Sequence, residues 1–319
     1  MLLKLKPAFK DYIWGGTRLK TDFKFDTELS KVAEGWMLSC HKDGENIIEN
    51  GKHTGKTLSE VIACEGRDIL GENGKKFDFF PILIKFIDAK DNLSVQVHPD
   101  NDYALRVEGE YGKTECWYVL DCEEGAELIY GFKKEISSEE FRERVENNTF
   151  LDVVNKVKVH KGDFFFIEAG TLHAIGKGIL ICEIQQNSNT TYRVYDYGRR
   201  DKDGNTRPLH TEKAIAVTKC EKPKYDTKPT GKEIDLGGAK AQHLVSCELF
   251  KVERVSVSKE FSFECDEKSF ASIVVTDGQG EIKSKDESLI LKKGDSVFVS
   301  AGTGEILING KLDIIKTTV

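Results

Sequence analysis

The feature that most constrains the fold of this chain is an internal repeat of a short β pattern. The stretch KGDFFFIEAGTLHAI, residues 161–175, matches KGDSVFVSAGTGEIL, residues 293–307, without a gap. Each copy has the pattern of a turn, a strand, a tight glycine turn and the start of another strand. A hairpin of this kind can also arise by chance, but the ungapped match favours two related β units in one chain.

Short apolar runs separated by glycine turns dominate the rest of the chain, and they predict a mainly β protein built as a barrel or a sandwich. The run FFPILIKFIDA, residues 79–89, is so densely apolar that we predict a strand buried on both faces. Two stretches have helical spacing instead. Residues 57–70 open with the Thr-x-x-Glu spacing of a capping box, and residues 137–156 open with two serines that can cap a helix.

With 319 residues, the chain is long enough for two domains or for one large β domain. Residues 219–238 are polar and contain two prolines and a closing pair of glycines, which is typical of a linker. We therefore predict a first domain over residues 1–235, which holds the helices, and a second, all-β domain over residues 236–319.

Side chains that bind metals recur on three of the predicted strands. In LSVQVH, residues 93–98, side chains alternate across the strand, so Gln96 and His98 share one face. Glu115 lies on the alternating strand TECWYVLDC, and His173 lies near the end of the first copy of the repeat. None of these residues indicates a metal alone, because half-buried strands also alternate apolar and polar side chains. Together they predict one metal site.

The second β unit lacks this set of ligands. It carries Glu305 where the first copy carries His173, and no Gln-x-His strand precedes it. We therefore expect the second unit to be structural and to bind no metal. Cys116 follows Glu115 directly, so we expect it to point to the opposite side of its strand, into the core.

Charge and cysteine content narrow the classes of function. A formal net charge of -7 and an isoelectric point near 5.7 argue against a partner that is a nucleic acid or a membrane surface. The eight cysteines are scattered without a CxxC pair, and no apolar run approaches the ~20 residues of a membrane span. We expect reduced thiols and a cytoplasmic location.

These motifs resemble those of type I mannose-6-phosphate isomerases, in the short bacterial form, within the cupin superfamily. KGDFFFIEAGTLHAI follows the second cupin motif, with Glu168 at the usual place of a proline. The likeness also rests on VAEGWMLSCH, QVHPDNDYA, GKTECWYVLDC and EIQQNSNTTYRVYDYGR. It implies two cupin-type β-barrel (jelly-roll) units with a few helices inserted in the first, which would be the catalytic domain.

The resemblance also implies a zinc enzyme, with a single Zn²⁺ per chain, that interconverts mannose 6-phosphate and fructose 6-phosphate through a cis-enediol. By position, its metal ligands are Gln96, His98, Glu115 and His173. Its essential arginine falls on Arg193, and a lysine two residues before the ligand glutamate falls on Lys113. An aspartate of some relatives is Asn189 here, so we assign that position no acid–base role.

The chemistry of such a reaction explains these residue types. A proton must move between C1 and C2 while charge builds on the enediol oxygens, which a divalent metal with an open position stabilises. Zn²⁺ fits the His and Glu ligands, although the oxygen ligands would also admit Mn²⁺, Fe²⁺ or Co²⁺. Arg193 can bind either the phosphate or the enediolate.

Other roles stay open. Lys113 can bind phosphate or transfer a proton, and Ser94, on the same face as Gln96, can donate to phosphate or be merely exposed. A water on the metal, Lys113 and Glu183 are all candidates for the base. A basic cluster follows Arg193 along the chain; such clusters are usually solvated, but this one can attract a phosphosugar. Its members are Arg199, Arg200 and Arg207.

Two other functions are compatible with a cupin metal site. A dioxygenase would bind Fe²⁺ through two histidines and a glutamate, but Gln96 in the ligand set and the basic pair Lys113 and Arg193 favour an anionic substrate. A non-catalytic sugar-phosphate sensor is disfavoured by the complete ligand set. We expect a phosphorylated hexose as the partner, no nucleic acid and no membrane, and the chain can be a monomer or a dimer.

Overall fold

The computed structural model describes residues 1–200 and 203–319. Its helices are α1 (Arg18–Thr21), α2 (Leu58–Glu65), α3 (Gly71–Gly74), α4 (Asn101–Val107), α5 (Ser138–Glu146) and α6 (Thr211–Val217). Short 3₁₀ helices lie at Gly51–His53, Arg67–Leu70 and Phe150–Asp152. Within the described residues, none of these helices combines the length and the apolar composition that crossing a membrane requires.

Strands make up far more of the chain than helices, so the prediction of a mainly β protein is confirmed. The first part of the chain forms β1 (Leu2–Lys6), β2 (Ala8–Lys10), β3 (Glu34–Leu38), β4 (Ile47–Ile48), β5 (Ile82–Ala89), β6 (Val95–Val97), β7 (Glu115–Cys122), β8 (Glu127–Phe132), β9 (Val154–Lys158), β10 (Phe164–Ile167), β11 (His173–Ala174), β12 (Ile179–Gln186) and β13 (Tyr192–Tyr195). The second part forms β14 (Glu233–Asp235), β15 (Ala239–Ser246), β16 (Lys251–Val257), β17 (Glu260–Cys265), β18 (Ala271–Lys283), β19 (Ser288–Lys292), β20 (Ser296–Val299) and β21 (Gly304–Thr318).

Two antiparallel sheets pack face to face in the first part of the chain. One has the strand order β10-β7-β12-β5-β3-β2, and the other has the order β13-β6-β11-β8-β9. Their facing sides share a core that contains Trp117, Tyr130 and Phe165. Across the gap, the Tyr130 hydroxyl donates to the carbonyl of Phe166 at 2.6 Å. These contacts hold the two sheets together, while closure of each unit into a barrel stays a prediction.

The six-stranded sheet is covered on its other side by a third, ten-stranded sheet. The strand order of this sheet is β14-β15-β16-β21-β18-β20-β1-β4, and β17 and β19 pair at its sides. Because β1 pairs with β20, the first strand of the chain joins a sheet built mainly from its last residues. Cys116 lies in the core between these sheets with Phe270 and Phe298, so its predicted orientation is confirmed.

The two copies of the repeat have the same turn. In each copy an aspartate carboxylate accepts from the backbone N–H three residues earlier, Asp163 from His160 at 2.7 Å and Asp295 from Lys292 at 2.9 Å. The glycine before each aspartate has a φ of 90° in the first copy and 91° in the second. Only glycine adopts this backbone conformation without strain. The repeated turn predicted from the sequence is therefore present in both units.

Local sequence signals predicted a helix start and a buried strand correctly, and they placed the ends of two helices too late. The capping box of α2 is present, because Thr57 and Glu60 each accept from the backbone N–H of the other, and every residue of β5 is buried as predicted. The helix predicted over residues 57–70 ends at Glu65, because Gly66 takes a φ of 88° and a separate 3₁₀ helix follows it. The helix predicted over residues 137–156 ends at Glu146 instead. Asn148 takes a left-handed backbone with φ of 55°, and Val154 already begins β9, which pairs with β8. Strand pairing overrides the helical spacing there.

Glu168 anchors the predicted linker, residues 219–238, which leads to the ten-stranded sheet. Its carboxylate accepts from the Tyr225 hydroxyl at 2.7 Å and from Lys219 Nζ at 3.2 Å. The Tyr225 ring also packs edge-on against Phe166, with 5.0 Å between ring centroids. A proline at position 168 could not make these bonds. The departure from the usual cupin motif thus ties the predicted linker to the end of β10, and the domain boundary at residue 235 stays a prediction.

We expect Phe270→Ala to destabilise both parts of the chain together. Phe270 is fully buried and stacks on Phe80 at 5.5 Å and on Phe298 at 5.1 Å between ring centroids. The truncation should cost about 3–5 kcal/mol in the free energy of unfolding, because it leaves a cavity in a shared core. Urea unfolding followed by tryptophan emission measures this, since all tryptophans lie at or before position 117 and report on the first part.

The matched control is Ile290→Ala in the same ten-stranded sheet, whose side chain is 73% exposed and should change the free energy of unfolding by less than about 0.5 kcal/mol. An unchanged tryptophan transition in Phe270→Ala would mean that the two parts unfold independently.

Candidate metal centre

Adjacent strands of the five-stranded sheet place three of the predicted site residues in one row. His173 on β11 is paired with Gln96 on β6, and Gln96 is paired on its other side with Arg193 on β13. Residues paired in register present their side chains to the same face of a sheet. His98 lies one residue beyond β6, on the same face as Gln96. Glu115, the first residue of β7, reaches the same point from the opposite sheet.

The predicted ligands converge. The Nε2 atoms of His98 and His173 lie 3.1 Å apart. Glu115 Oε1 lies 3.5 Å from His173 Nε2, and its Oε2 lies 3.6 Å from His98 Nε2. The amide Nε2 of Gln96 lies 3.4 Å from His173 Nε2. The donor atoms of the two histidines and the glutamate all fall within 4.8 Å of one another, which makes them a group that could hold a metal ion.

Backbone carbonyls hold both imidazole rings in the orientation that metal binding needs. His98 Nδ1 is 2.9 Å from the carbonyl oxygen of Thr190, and His173 Nδ1 is 2.9 Å from that of Thr171. A carbonyl oxygen only accepts, so each Nδ1 carries the proton and each Nε2 presents its lone pair to the centre. Burial, and after it Lys113, lowers the pKa of His173 to about 4 and that of His98 well below its ordinary value. Both rings are therefore neutral, the form that binds metals.

Glu115 is the one acidic residue of the group. Lys113 Nζ lies 2.5 Å from its Oε2, whereas its Oε1 is buried without a hydrogen-bond donor. Burial raises the pKa of Glu115 to about 7, and Glu183 adds to this rise while Lys113 opposes it. An unpaired buried acceptor costs roughly 1–3 kcal/mol, a cost that a cation bound at this oxygen would remove. The donor set and the orphaned oxygen thus fit a divalent metal.

A row of buried charged residues crosses the six-stranded sheet beside the ligands. Lys85 on β5 pairs with Glu183 on β12, which pairs with Trp117 on β7. Glu183 Oε2 accepts from the indole N–H of Trp117 at 2.8 Å, while its Oε1 lies 3.7 Å from both Lys85 Nζ and Lys113 Nζ. Burial opposes the ionisation of Glu183, but Lys113 and Lys85 outweigh it and hold its pKa below the ordinary value. Glu183 is therefore ionised.

Sequence analysis missed Lys85 and its partner Glu34. Lys85 Nζ lies 3.4 Å from Glu34 Oε2, and both side chains are almost fully buried. Burial opposes the charge on Lys85, yet Glu34 and Glu183 keep its pKa above the ordinary value. A signal was available, because Lys85 interrupts an apolar run predicted to be buried on both faces. A lysine at such a position needs carboxylate partners.

A cavity of about 280 Å³ opens beside the ligands and holds the other predicted residues. Ser94, Gln96, Lys113 and Arg193 all line it, as do Glu183 and Asn189. The Ser94 hydroxyl lies 3.4 Å from Gln96 Oε1 and is buried, not exposed. Residues that sequence analysis did not single out complete the lining: Tyr12, Trp14, Glu34, Lys85, Ile87, Leu93, Ile175 and Thr191.

Arg193 and Arg207 make one wall of the cavity basic. Arg193 donates from Nη1 to the Pro208 carbonyl at 2.9 Å, and its buried Nε has no acceptor. Burial and the nearby Arg207 guanidinium lower the pKa of Arg193 from its ordinary value. Arg207 is held by a bidentate bond to Asp196, at 2.8 and 2.6 Å, and Arg199 binds the same carboxylate at 2.5 Å. Arg200 instead donates to the Gly204 carbonyl at 2.6 Å and does not line the cavity.

Two family models match the chain. "Phosphomannose isomerase type I, catalytic domain" matches residues 2–128, and "Mannose-6-phosphate isomerase, cupin domain" matches residues 240–319. The mannose-6-phosphate isomerase of Streptococcus mutans is 41% identical over 315 residues, which cover 99% of this chain and 97% of that protein. Mannose-6-phosphate isomerase ManA of Bacillus subtilis is 40% identical over 314 residues, which cover 98% of this chain and 97% of that protein.

A solved structure agrees with these relatives. The crystal structure of mannose 6-phosphate isomerase from Bacillus subtilis superposes with a TM-score of 0.92 at 36% sequence identity, covering 100% of this chain and 99% of that chain. A putative mannosephosphate isomerase from Archaeoglobus fulgidus has a TM-score of 0.78 at 22% identity and supports the fold alone.

We expect the metal-stripped chain to bind a single equivalent of Zn²⁺ or Co²⁺, and His173→Ala to weaken this binding by ~100-fold or more, since loss of a supporting partner alone costs 10–100-fold. The visible absorption of Co²⁺ during a titration measures both stoichiometry and affinity. His160→Ala is the control, because its side chain is 78% exposed on the turn of the same repeat unit. Two equivalents bound, or equal affinity in both variants, would contradict the assignment.

Proposed function

The chain belongs to the type I mannose-6-phosphate isomerase family, and we propose that it interconverts mannose 6-phosphate and fructose 6-phosphate in the cavity beside Gln96. The observation that carries this proposal is that Gln96, which lies 3.4 Å from His173 of the metal-ligand group, lines the same cavity as Lys113 and Arg193. The basic lining suits an anionic substrate, in contrast to the apolar substrate that we would expect for a dioxygenase.

We propose Zn²⁺ as the metal, held by Gln96, His98, Glu115 and His173. A bound divalent ion supplies a Lewis acid that stabilises negative charge on the sugar oxygens. Glu115 is the one charged residue of the four, so the ligand set leaves a divalent ion with net positive charge. The neutral imidazoles and the carboxylate suit Zn²⁺, and the oxygen ligands also admit Mn²⁺, Fe²⁺ or Co²⁺.

The phosphorylated end of the sugar lies, in this proposal, against the basic wall of the cavity. Arg193 keeps its Nε free for an acceptor, and the bond of Arg207 to Asp196 holds that second guanidinium in place. A guanidinium binds phosphate or enediolate oxygens in pairs. The buried Ser94 hydroxyl lies on the same wall as Gln96 and is placed to donate to a substrate oxygen.

The proton transfers are assigned to side chains of the six-stranded sheet. Isomerisation removes the proton from C2 and returns one to C1, while a hydroxyl proton moves from O2 to O1 through a cis-enediol, so no atom is gained or lost. Glu183 is ionised and its Oε1 accepts no hydrogen bond, so it can take up a proton. Lys113 lies 3.7 Å from that oxygen and can return one. Both residues line the cavity, so the sugar carbons would lie within their reach.

In this proposal residues 1–235 carry out the reaction and residues 236–319 support them. Glu305 stands where the first unit has His173, and its partner on the neighbouring strand is Glu264. Two acidic residues therefore lie where the first unit has a histidine and its strand partner. We propose that the second unit binds no metal and that its role is to cover the outer face of the six-stranded sheet.

We also propose a cytoplasmic location. All eight cysteines are free, and none of them falls at positions 201 and 202. A chain with this many unpaired thiols suits a reducing compartment.

We expect the purified chain to convert mannose 6-phosphate to fructose 6-phosphate, to lose this activity to a chelator and to regain it with Zn²⁺. A coupled assay that follows fructose 6-phosphate measures all three states. The activity should be proportional to the metal content, and it should be recoverable, because a chelator removes only the ion and leaves its ligands in place. No turnover by protein that contains a full equivalent of metal would contradict the proposed function.

Arg193→Ala should lower kcat/KM by ~100-fold, since it removes charge-assisted bonds to an anionic group in a buried site. Arg200→Ala is the control, because this arginine lies outside the cavity, and its kcat/KM should stay within twofold of the unaltered chain. If KM rises while kcat is unchanged, Arg193 binds the phosphate. If kcat falls, Arg193 stabilises the enediolate. Equal kcat/KM in the two variants would contradict a substrate role for Arg193.

A further inference from the structure

Glu110 joins two loops that lead to the metal centre. It lies shortly before β7, which carries Glu115, and its Oε2 accepts from the backbone N–H of Asn189 at 3.3 Å and from the Thr190 hydroxyl at 3.4 Å. These two residues precede β13, which carries Arg193. One partly buried carboxylate therefore links the approaches to both sheets.

The loop that Glu110 holds is part of the site. The carbonyl oxygen of Thr190 accepts from His98 Nδ1 at 2.9 Å, and this bond determines the orientation of the ring. Asn189 lines the cavity. Neither residue belongs to a strand, so no sheet ladder holds the Thr190 carbonyl. Side-chain bonds hold Thr190 instead: its hydroxyl donates to Glu110, and its backbone N–H donates to the Ser188 hydroxyl at 3.2 Å.

Glu110 is itself anchored from outside. Its Oε1 lies 3.1 Å from Lys42 Nζ and 3.5 Å from His41 Nε2. The neighbouring Asp43 accepts from the Asn189 side-chain amide at 2.9 Å. The loop after β3 thus binds Asn189 directly through Asp43, and it binds residues 189 and 190 indirectly through Glu110.

We propose that Glu110 is a positioning residue for the metal centre, which holds Thr190 so that its carbonyl keeps His98 Nε2 directed at the metal. The inference rests on the proposed function only through the metal site itself. Residues that support metal ligands typically contribute 10–100-fold in metal affinity. Glu110 acts one bond further out than Thr190, so its contribution lies at the lower end of that range.

Metal affinity, measured by competition with a chromophoric chelator, tests this role without reference to activity. Glu110→Ala should weaken Co²⁺ and Zn²⁺ binding by ~10-fold. Glu110→Gln should restore part of that loss, because its amide oxygen still accepts from Asn189 and Thr190, whereas its NH2 group cannot replace the oxygen that pairs with Lys42. A residue that merely stabilises the fold would change the unfolding midpoint and leave the affinity of the folded protein unaltered.

Glu108→Ala is the matched control from the same loop. Glu108 accepts from the Tyr192 hydroxyl at 2.8 Å and from Lys213 Nζ at 2.6 Å, and it makes no bond to residues 189 and 190. The metal affinity of Glu108→Ala should stay within twofold of that of the unaltered chain. Thr190→Val, which removes the hydroxyl and keeps the carbonyl, should add little to the loss in Glu110→Ala when the two are combined.

The outcomes separate the inference from the function on which it rests. Weaker binding in Glu110→Ala than in Glu108→Ala, with rescue by Glu110→Gln, supports the positioning role. Equal affinity in Glu110→Ala and Glu108→Ala overturns it while the metal site stands. Failure of the unaltered chain to bind metal overturns the proposed centre and this inference together.

Discussion

The centre of this protein depends on charges that are buried between two sheets and that compensate one another there. Glu34, Lys85, Glu183, Lys113 and Glu115 alternate in sign, and none of them is more than 7% exposed. Burying one such charge without a partner costs several kcal/mol. Each residue in this series has an oppositely charged neighbour within 3.7 Å. The series ends at the Glu115 oxygen that accepts no hydrogen bond, where the two neutral imidazoles point.

The rest of the fold buries this series and holds it in register. The five-stranded sheet covers it from one side and contributes the histidines. The ten-stranded sheet covers the other face of the strands that carry it, through a core around Phe270 and Phe298. Charges in such an interior interact more strongly than they would in water. The second β unit has no histidine at the repeated position, and its role is to cover the strands that carry these charges. Glu168 holds the segment that connects the two units.

Sequence reasoning succeeded where the signal was local. The two-residue period of a strand placed Gln96 on the face that meets His173 and placed Cys116 in the opposite core. The capping box at Thr57 and the glycine turns at positions 162 and 294 followed from the hydrogen bonds and backbone angles of a few adjacent residues. The helix predicted over residues 137–156 was too long, because the chain turns at Asn148 and pairs as a strand with β8 from Val154 onward. Local pattern could not weigh that competing partner.

By itself the sequence determined the mainly β class, the repeated turn, the family and the residue types of the site, since these depend on neighbouring residues or on motifs. Only the tertiary structure decided which distant groups meet. The pairing of Lys85 with Glu34 and Glu183 depends on the register of three strands, and the support of His98 by Thr190 and Glu110 depends on two loops that are far apart in the chain. The physical reason is that a buried charge or an imidazole N–H must find a partner in space. That partner is set by how the sheets pack, which no local pattern records.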